Sequence, residues 1–256
     1  MARTLAFLYG AVSYLIFFIT FLYAIGFVGN MIVPKSIDTG PSAATFARGL
    51  IANVILMSIF ALQHSIMARP AFKRVWTRYV PKPVERSTYV LAASLALILL
   101  FWQWRAMPEL VWNVENAVGQ YFLWTLFFLG WGTVLLSTFL INHFELFGLK
   151  QVNAYRTGAE FHYSKFRTPF FYKFVRHPLY LGFIVAFWAT PRMSVGHLLF
   201  AAVTTVYILV AIQLEERDLV DIHGEAYENY RRQVSMLLPI PKGGAPVEAK
   251  EAVPKG

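Results

Sequence analysis

The chain contains no cysteine. That absence excludes a disulfide framework, an iron–sulfur cluster, a thiolate zinc site and a cysteine nucleophile. Charge is also scarce: Asp, Glu, Lys and Arg make up 14% of the residues, where a soluble domain has about a quarter. Acidic residues are the scarcer sign, 14 against 23 basic, leaving a net charge of +9. Apolar residues fill the space, with 57% hydrophobic and 17% aromatic and a mean hydropathy of +0.50. A chain of 256 residues with this balance reads as an all-α integral membrane protein built as one polytopic helical bundle. Its positive charge falls in the loops between apolar runs, as in cytoplasmic loops of membrane proteins. The partner it points to is therefore a lipid bilayer and not nucleic acid.

About six spans can be read. They run from about Leu5 to Val33, Phe46 to Met67, Thr88 to Trp104, Gln120 to Ile141, Leu179 to Thr190 and Val195 to Leu214. A spanning helix needs about 20 residues, so the fifth either starts inside the preceding polar motif or crosses only part of the bilayer. Pro191-Arg192-Met193-Ser194 reads as the turn between the last two. The first span is too long for a signal-peptide core and lacks a small-residue cleavage site, so it is expected in the mature protein. Basic residues cluster after spans two, four and six, whereas the other side carries only Lys35, Arg48, Arg105 and Arg192. Both termini are thereby predicted to be cytoplasmic, in a bacterial inner membrane. Residues 1–238 read as a single membrane domain, and 239–256 as a flexible Pro-rich tail.

This orientation collects ionisable residues at one face. His64 ends span two. Asn142, His143 and Glu145 end span four. Arg176-His177-Pro178, with Tyr180 and Gly182, opens span five, and Glu215-Glu216 closes span six. Charge beside hydrocarbon is costly and usually functional, although interfacial His, Tyr and Arg also serve as headgroup anchors. Pro178 suits the first turn of a helix, where its missing N–H costs nothing and the remaining free N–H groups can receive an anion. Gly182 admits either a ligand or a neighbouring helix. His177 either binds a ligand or donates to a backbone carbonyl. Adjacent helical residues diverge by about 100°, so Glu215 and Glu216 cannot face one small site equally. One is expected at the ligand, and the other in solvent or paired with Arg217 or Arg176. Asp218, Asp221, Glu225 and Glu228 read as the polar face of a helix lying on the membrane.

The run Arg176-His177-Pro178-x-Tyr180-x-Gly182, an apolar hairpin, Glu215-Glu216 and then Gly224-x-x-Tyr227-x-x-Tyr230 resembles the cofactor region of the membrane methyltransferases typified by isoprenylcysteine carboxyl methyltransferase and phospholipid N-methyltransferase. Gln63-His64-Ser65-Ile66-Met67-Ala68-Arg69-Pro70 resembles the NnrU-like branch. Phe21 to Asn30, Val33 to Asp38 and Asn142 to Gln151 are similar to the bacterial methanethiol S-methyltransferases. That resemblance implies a C-terminal helical hairpin holding S-adenosyl-L-methionine through Arg176, His177, Pro178, Tyr180, Gly182, Glu215 and Glu216, without a Rossmann sheet. No Gly-rich nucleotide fingerprint is present. The implied reaction is methyl transfer to the sulfur of methanethiol, giving dimethyl sulfide and S-adenosylhomocysteine.

A neutral thiol is a poor nucleophile, so a base is expected near the methyl group. His64 and His143 are the foremost candidates because imidazole titrates near neutral pH, and Asp218 is a third. Asn142 and Glu145 are candidate substrate contacts. Two other readings stay open at this point. One is methylation of a larger lipophilic substrate, such as an isoprenoid, a phospholipid or a thioether. The other is a non-enzymatic role in nitric-oxide metabolism, with His64 and His143 as haem or metal ligands. No span carries a His-x-x-x-His pair, and no metal is expected.

Overall fold

In the computed structural model, residues 1–164 and 167–240 are described. The Pro-rich tail read from the sequence lies, beyond Ile240, outside the described residues. Five helices are long and apolar enough to cross a membrane. They are α1 (Ala2–Gly29), α2 (Phe46–Ala68), α4 (Lys82–Gln103), α5 (Ala117–Ile141) and α9 (Val195–His223). Short helices decorate one face: α3 (Pro70–Trp76), α6 (His143–Leu146), α7 (Leu149–Thr157) and α10 (Glu225–Gln233). The remaining helix, α8 (Pro178–Trp188), has 11 residues, about 16 Å at 1.5 Å per residue. It therefore reaches roughly halfway through a hydrocarbon layer of about 30 Å. The protein is a multi-pass membrane bundle.

α8 survives its shortness because it is buried along α5. Gly130 and Gly182 make that contact. A Cβ on Gly182 would come within 2.7 Å of the Gly130 carbonyl oxygen, and one on Gly130 within 2.7 Å of the Gly182 oxygen. Of the two roles open to Gly182, the helix contact is the one observed. Around the bundle, α1 packs on α4, α4 on α2, and α8 on α9, while α9 touches α2.

The end of the bundle away from the charged face is closed twice. Phe27, Phe101, Trp104, Phe187 and Phe200 interlock there. Ring centroids are 4.7 Å apart for Phe27–Phe101, 6.0 Å for Trp104–Phe200 and 5.1 Å for Phe187–Phe200. Outside them, the α1–α2 connection is tied down through its polar residues. Asn30 donates to Asp38 at 2.8 Å, Ser194 donates to the other oxygen of Asp38, and the indole of Trp104 donates to the Ile37 carbonyl at 3.0 Å. A two-stranded antiparallel ribbon completes the cap, β1 (Leu110–Asn113) on β2 (Arg192–Ser194), with Trp112 opposite Met193. The expected turn at Pro191–Ser194 is thus mostly strand. No periodicity announced it, because the ribbon exists only by pairing with a segment some eighty positions earlier.

At the charged face, α9 continues past the hairpin to His223 and stops at Gly224, whose φ of +56° favours glycine. Asp218 and Asp221 therefore belong to α9, and only Glu225 and Glu228 to the polar helix that follows. That helix buries Tyr227 and Tyr230 against Leu219 and Val220, so its apolar side is covered by protein.

Candidate active site

A cavity of about 790 Å³ lies within the bundle, lined from α1, α2, α4, α5, α8 and α9. On α4 its wall runs from Glu85 to Phe101, about 24 Å of helix. It opens at the charged face, where Lys73, Arg86, Tyr163 and Arg167 line it, and ends blind on the aromatic cap at Phe101, Phe187 and Phe200. Its volume lies in the range of small-molecule sites, about 300–1,000 Å³.

The acidic pair divides as helix geometry requires. Glu216 is 4% exposed. One of its oxygens accepts from Arg176 Nε at 2.6 Å and lies 3.0 Å from His177 Nε2. Arg176 also donates to the Arg231 carbonyl at 3.0 Å and to that of Val234. The backbone N–H groups of Arg176 and His177 bond the carbonyls of Ser235 and Met236. This buried ion pair clamps the start of α8 to α9 and to the chain after α10. Pro178 is buried at the first position of α8 and, like Gly182 and Glu216, does not line the cavity. Glu215, one position earlier, does line it. Tyr180 donates to Glu215 Oε2 at 2.8 Å. Tyr89 and Tyr207 lie close enough to feel the same carboxylate.

The two histidines differ in how much of the ring is already committed. His143 is 4% exposed and stacks on Phe139, with ring centroids 4.1 Å apart. Thr138 gives its own proton to the Leu135 carbonyl at 2.6 Å. Its oxygen therefore receives Nδ1–H of His143 at 2.8 Å, and Nε2 receives the proton of Tyr14 at 2.8 Å. Both ring nitrogens of His143 are occupied, and burial holds the imidazole below its usual pKa. His64 lies against Phe60 and faces Tyr89. Tyr89 Oη is 2.9 Å from Nε2 and 3.1 Å from Nδ1. A neutral imidazole carries one N–H; when that N–H is donated to Tyr89 Oη, the other nitrogen keeps its lone pair for the cavity. Through Tyr89, His64 adjoins the ring of tyrosines around Glu215.

The other candidates sit at the mouth. Asp218 pairs with Arg69 at 2.9 Å and ties the end of α2 to α9. Asn142 donates to Glu145 and to Ser164, both at 2.7 Å, and Glu145 accepts from the Ser164 backbone at 3.1 Å. They pin the segment carrying Tyr163 beside the opening. Burial lowers the pKa of Lys73, and the neighbouring charge of Arg86 lowers it further. Among the described residues, no group of three or more His, Cys, Asp or Glu is placed to hold a metal.

Tyr89, Tyr207 and Trp131 did not stand out in the sequence. A signal for Tyr207 was present: Tyr207, Ala211 and Glu215 recur every fourth residue and all line the cavity. Tyr89 has no such signal, since its partner His64 is 25 positions away on another helix.

No protein-family model and no solved structure matches the chain. Several curated proteins do. It is 60% identical over 237 residues to methanethiol S-methyltransferase 1 of Bradyrhizobium diazoefficiens, covering 93% of this chain and 83% of that protein. It is 58% identical to the methanethiol S-methyltransferase of Crocosphaera subtropica, covering 93% of each. It is 56% identical to that of Mycobacterium tuberculosis, covering 94% of this chain and 98% of the relative.

Proposed function

The chain belongs to the methanethiol S-methyltransferase family, and from that premise we propose that its cavity moves a methyl group from S-adenosylmethionine to methanethiol, giving dimethyl sulfide and S-adenosylhomocysteine. The observation that carries this reading is the junction of Glu215, Tyr180, Tyr89 and His64 on one cavity wall. Two helices supply the donor side, Tyr180 and Glu215, and two others supply the acceptor side, Tyr89 and His64.

The donor set fits the proposed cofactor. Glu215 keeps one carboxylate oxygen beyond the bond from Tyr180 and can meet an ammonium. The faces of Tyr89, Tyr180 and Tyr207 suit a sulfonium. Lys73 and Arg86 crowd two positive charges at the mouth, and a carboxylate there would relieve their repulsion. Arg176, His177 and Glu216 hold the motif in place as one buried unit. When bound, S-adenosylmethionine supplies an electrophilic methyl carbon on sulfur that an in-line thiolate can take.

The remaining work falls to the protein. A free thiol titrates at about 8.5 or above, so at neutral pH most methanethiol still holds its proton. With its ring N–H donated to Tyr89 Oη, His64 receives that proton on the lone pair of its other nitrogen. The aromatic cap and the apolar walls exclude water, and holding the sulfur in line with the methyl carbon contributes much of the rate. The basic loops support a charged face in the cytoplasm of a bacterial inner membrane, with both termini on that side.

The test is headspace detection of dimethyl sulfide from protein in nanodiscs supplied with labelled S-adenosylmethionine and methanethiol. The expected result is labelled dimethyl sulfide in one-to-one ratio with S-adenosylhomocysteine. Absence of both products from folded protein would sink the reading.

A further inference from the structure

Methanethiol has one carbon, yet the cavity continues far below the level at which it would react. Below Tyr89 the α4 wall descends through Leu97 to Phe101, about 18 Å of helix. Below Tyr180 and Tyr207 the facing walls descend to Phe187 and Phe200, about 10 Å each. This lower half offers the polar cofactor little, because the hydroxyls that line it have already given their protons to backbone carbonyls and can only accept. Thr20 donates to the Ile16 carbonyl at 2.7 Å, Ser94 to Val90 at 2.9 Å and Thr204 to Phe200 at 2.6 Å. The indole N–H of Trp131 is the one side-chain donor there, among the described residues, that is buried without a partner. Beyond these acceptor oxygens and one N–H, the lining of the lower half is apolar. Apolar cavities of this kind stay dry and take up apolar molecules.

We propose that the lower chamber binds the alkyl tail of linear thiols longer than methanethiol, so that the substrate class of this site is alkanethiols of at least up to six carbons. The proposal rests on the reading of the site as a thiol methyltransferase. The sulfur stays at the level of His64 and Tyr89, and the tail runs down between Phe183, Leu97 and Val203. An extended chain of C–C bonds of about 1.5 Å advances roughly 1.3 Å per carbon, so a hexyl tail fits within the 10 Å of wall below Tyr207. The chemistry is unchanged. The thiol proton goes to His64, a bond forms between the thiolate sulfur and the methyl carbon, and the methyl–sulfonium bond breaks. Its electron pair stays on the departing thioether, and the products are an alkyl methyl sulfide, S-adenosylhomocysteine and one proton.

The experiment measures kcat/KM for methane-, butane- and hexanethiol in nanodiscs, for the natural protein and for Val203→Trp. Side chains lean toward the N-terminus of their helix, which on α9 is the end away from the mouth. The indole therefore fills the chamber without rising to the reacting level. Burial of a methylene favours binding by up to about fourfold, so hexanethiol is expected to match or exceed methanethiol in the natural protein. Val203→Trp should lower hexanethiol turnover at least tenfold and methanethiol turnover less than about twofold. Comparing protein variants on one thiol cancels the partitioning of that thiol into lipid. If Val203→Trp does not fold, Val203→Phe, a smaller ring leaning the same way, is expected to make the same selective cut. Turnover of methanethiol with none of butanethiol overturns the proposal and leaves the methanethiol reading intact. An equal loss on all three thiols in the folded variant overturns it too. Failure with methanethiol itself strikes the underlying reading instead.

Discussion

Two adjacent glutamates have opposite duties because a helix turns about 100° per residue. Glu216 is the buried anion of a clamp with Arg176 and His177. Removing one partner of such a pair leaves an uncompensated buried charge and costs about 3–5 kcal/mol. Glu216→Ala should therefore lower the thermal midpoint sharply, whereas Glu215→Gln should leave it nearly unchanged. Glu215→Gln should instead weaken binding of S-adenosylhomocysteine, by about 1–3 kcal/mol if a charged hydrogen bond is lost. Thermal melts and calorimetric titration of both variants check the division. The two histidines divide in the same manner. His64→Ala should reduce methanethiol turnover by about a hundredfold, with a defect that shrinks as pH nears the thiol's pKa. His143 affects stability instead. Its folded pKa lies below the unfolded value of about 6.5, so the unfolded chain binds the proton first as pH falls. Its contribution is complete above about pH 6.5 and is lost as pH drops toward the folded pKa. Melting temperatures across that window should fall less steeply in His143→Gln than in the natural protein.

At the scale of elements, α8 is the part that sequence length alone would have discarded. It is too short to span, and its stability comes from glycine-to-glycine contact with α5. Any side chain at Gly182 meets backbone atoms of α5, with the Gly130 oxygen at 2.7 Å and the Val134 nitrogen at 2.9 Å. Those atoms cannot rotate away. Gly182→Val should push α8 off α5, displace Tyr180 and lower both the melting temperature and cofactor affinity. Gly132, which has no atom within 4 Å of a built Cβ, offers the control: Gly132→Ala should change neither.

For the whole molecule, the cavity is closed at one end by rings and a ribbon and opens at the other among charges. That asymmetry has meaning only with a defined orientation. A reporter fused after the C-terminus should register cytoplasm, and one inserted near Asn116, between β1 and α5, should register the opposite side. Equal signals at the two positions would falsify this orientation, and with it the delivery of a soluble cofactor to the open end.

The membrane class, the long helices and the charged face follow from the sequence alone, because hydropathy over about 20 residues and the placement of Lys and Arg are local properties. The motif from Arg176 to Gly182 and the acidic pair were legible for the same reason, since their spacing is helical. Only the tertiary structure assigned the parts within that set. It turned Glu216 inward and Glu215 toward the cavity, occupied both nitrogens of His143 with Tyr14 and Thr138, and set Tyr89 against His64. It also revealed the ribbon of Leu110–Asn113 with Arg192–Ser194 and the depth of the chamber. Each of these depends on which helix faces which. That is decided by packing between segments far apart in the chain, and no local pattern carries it.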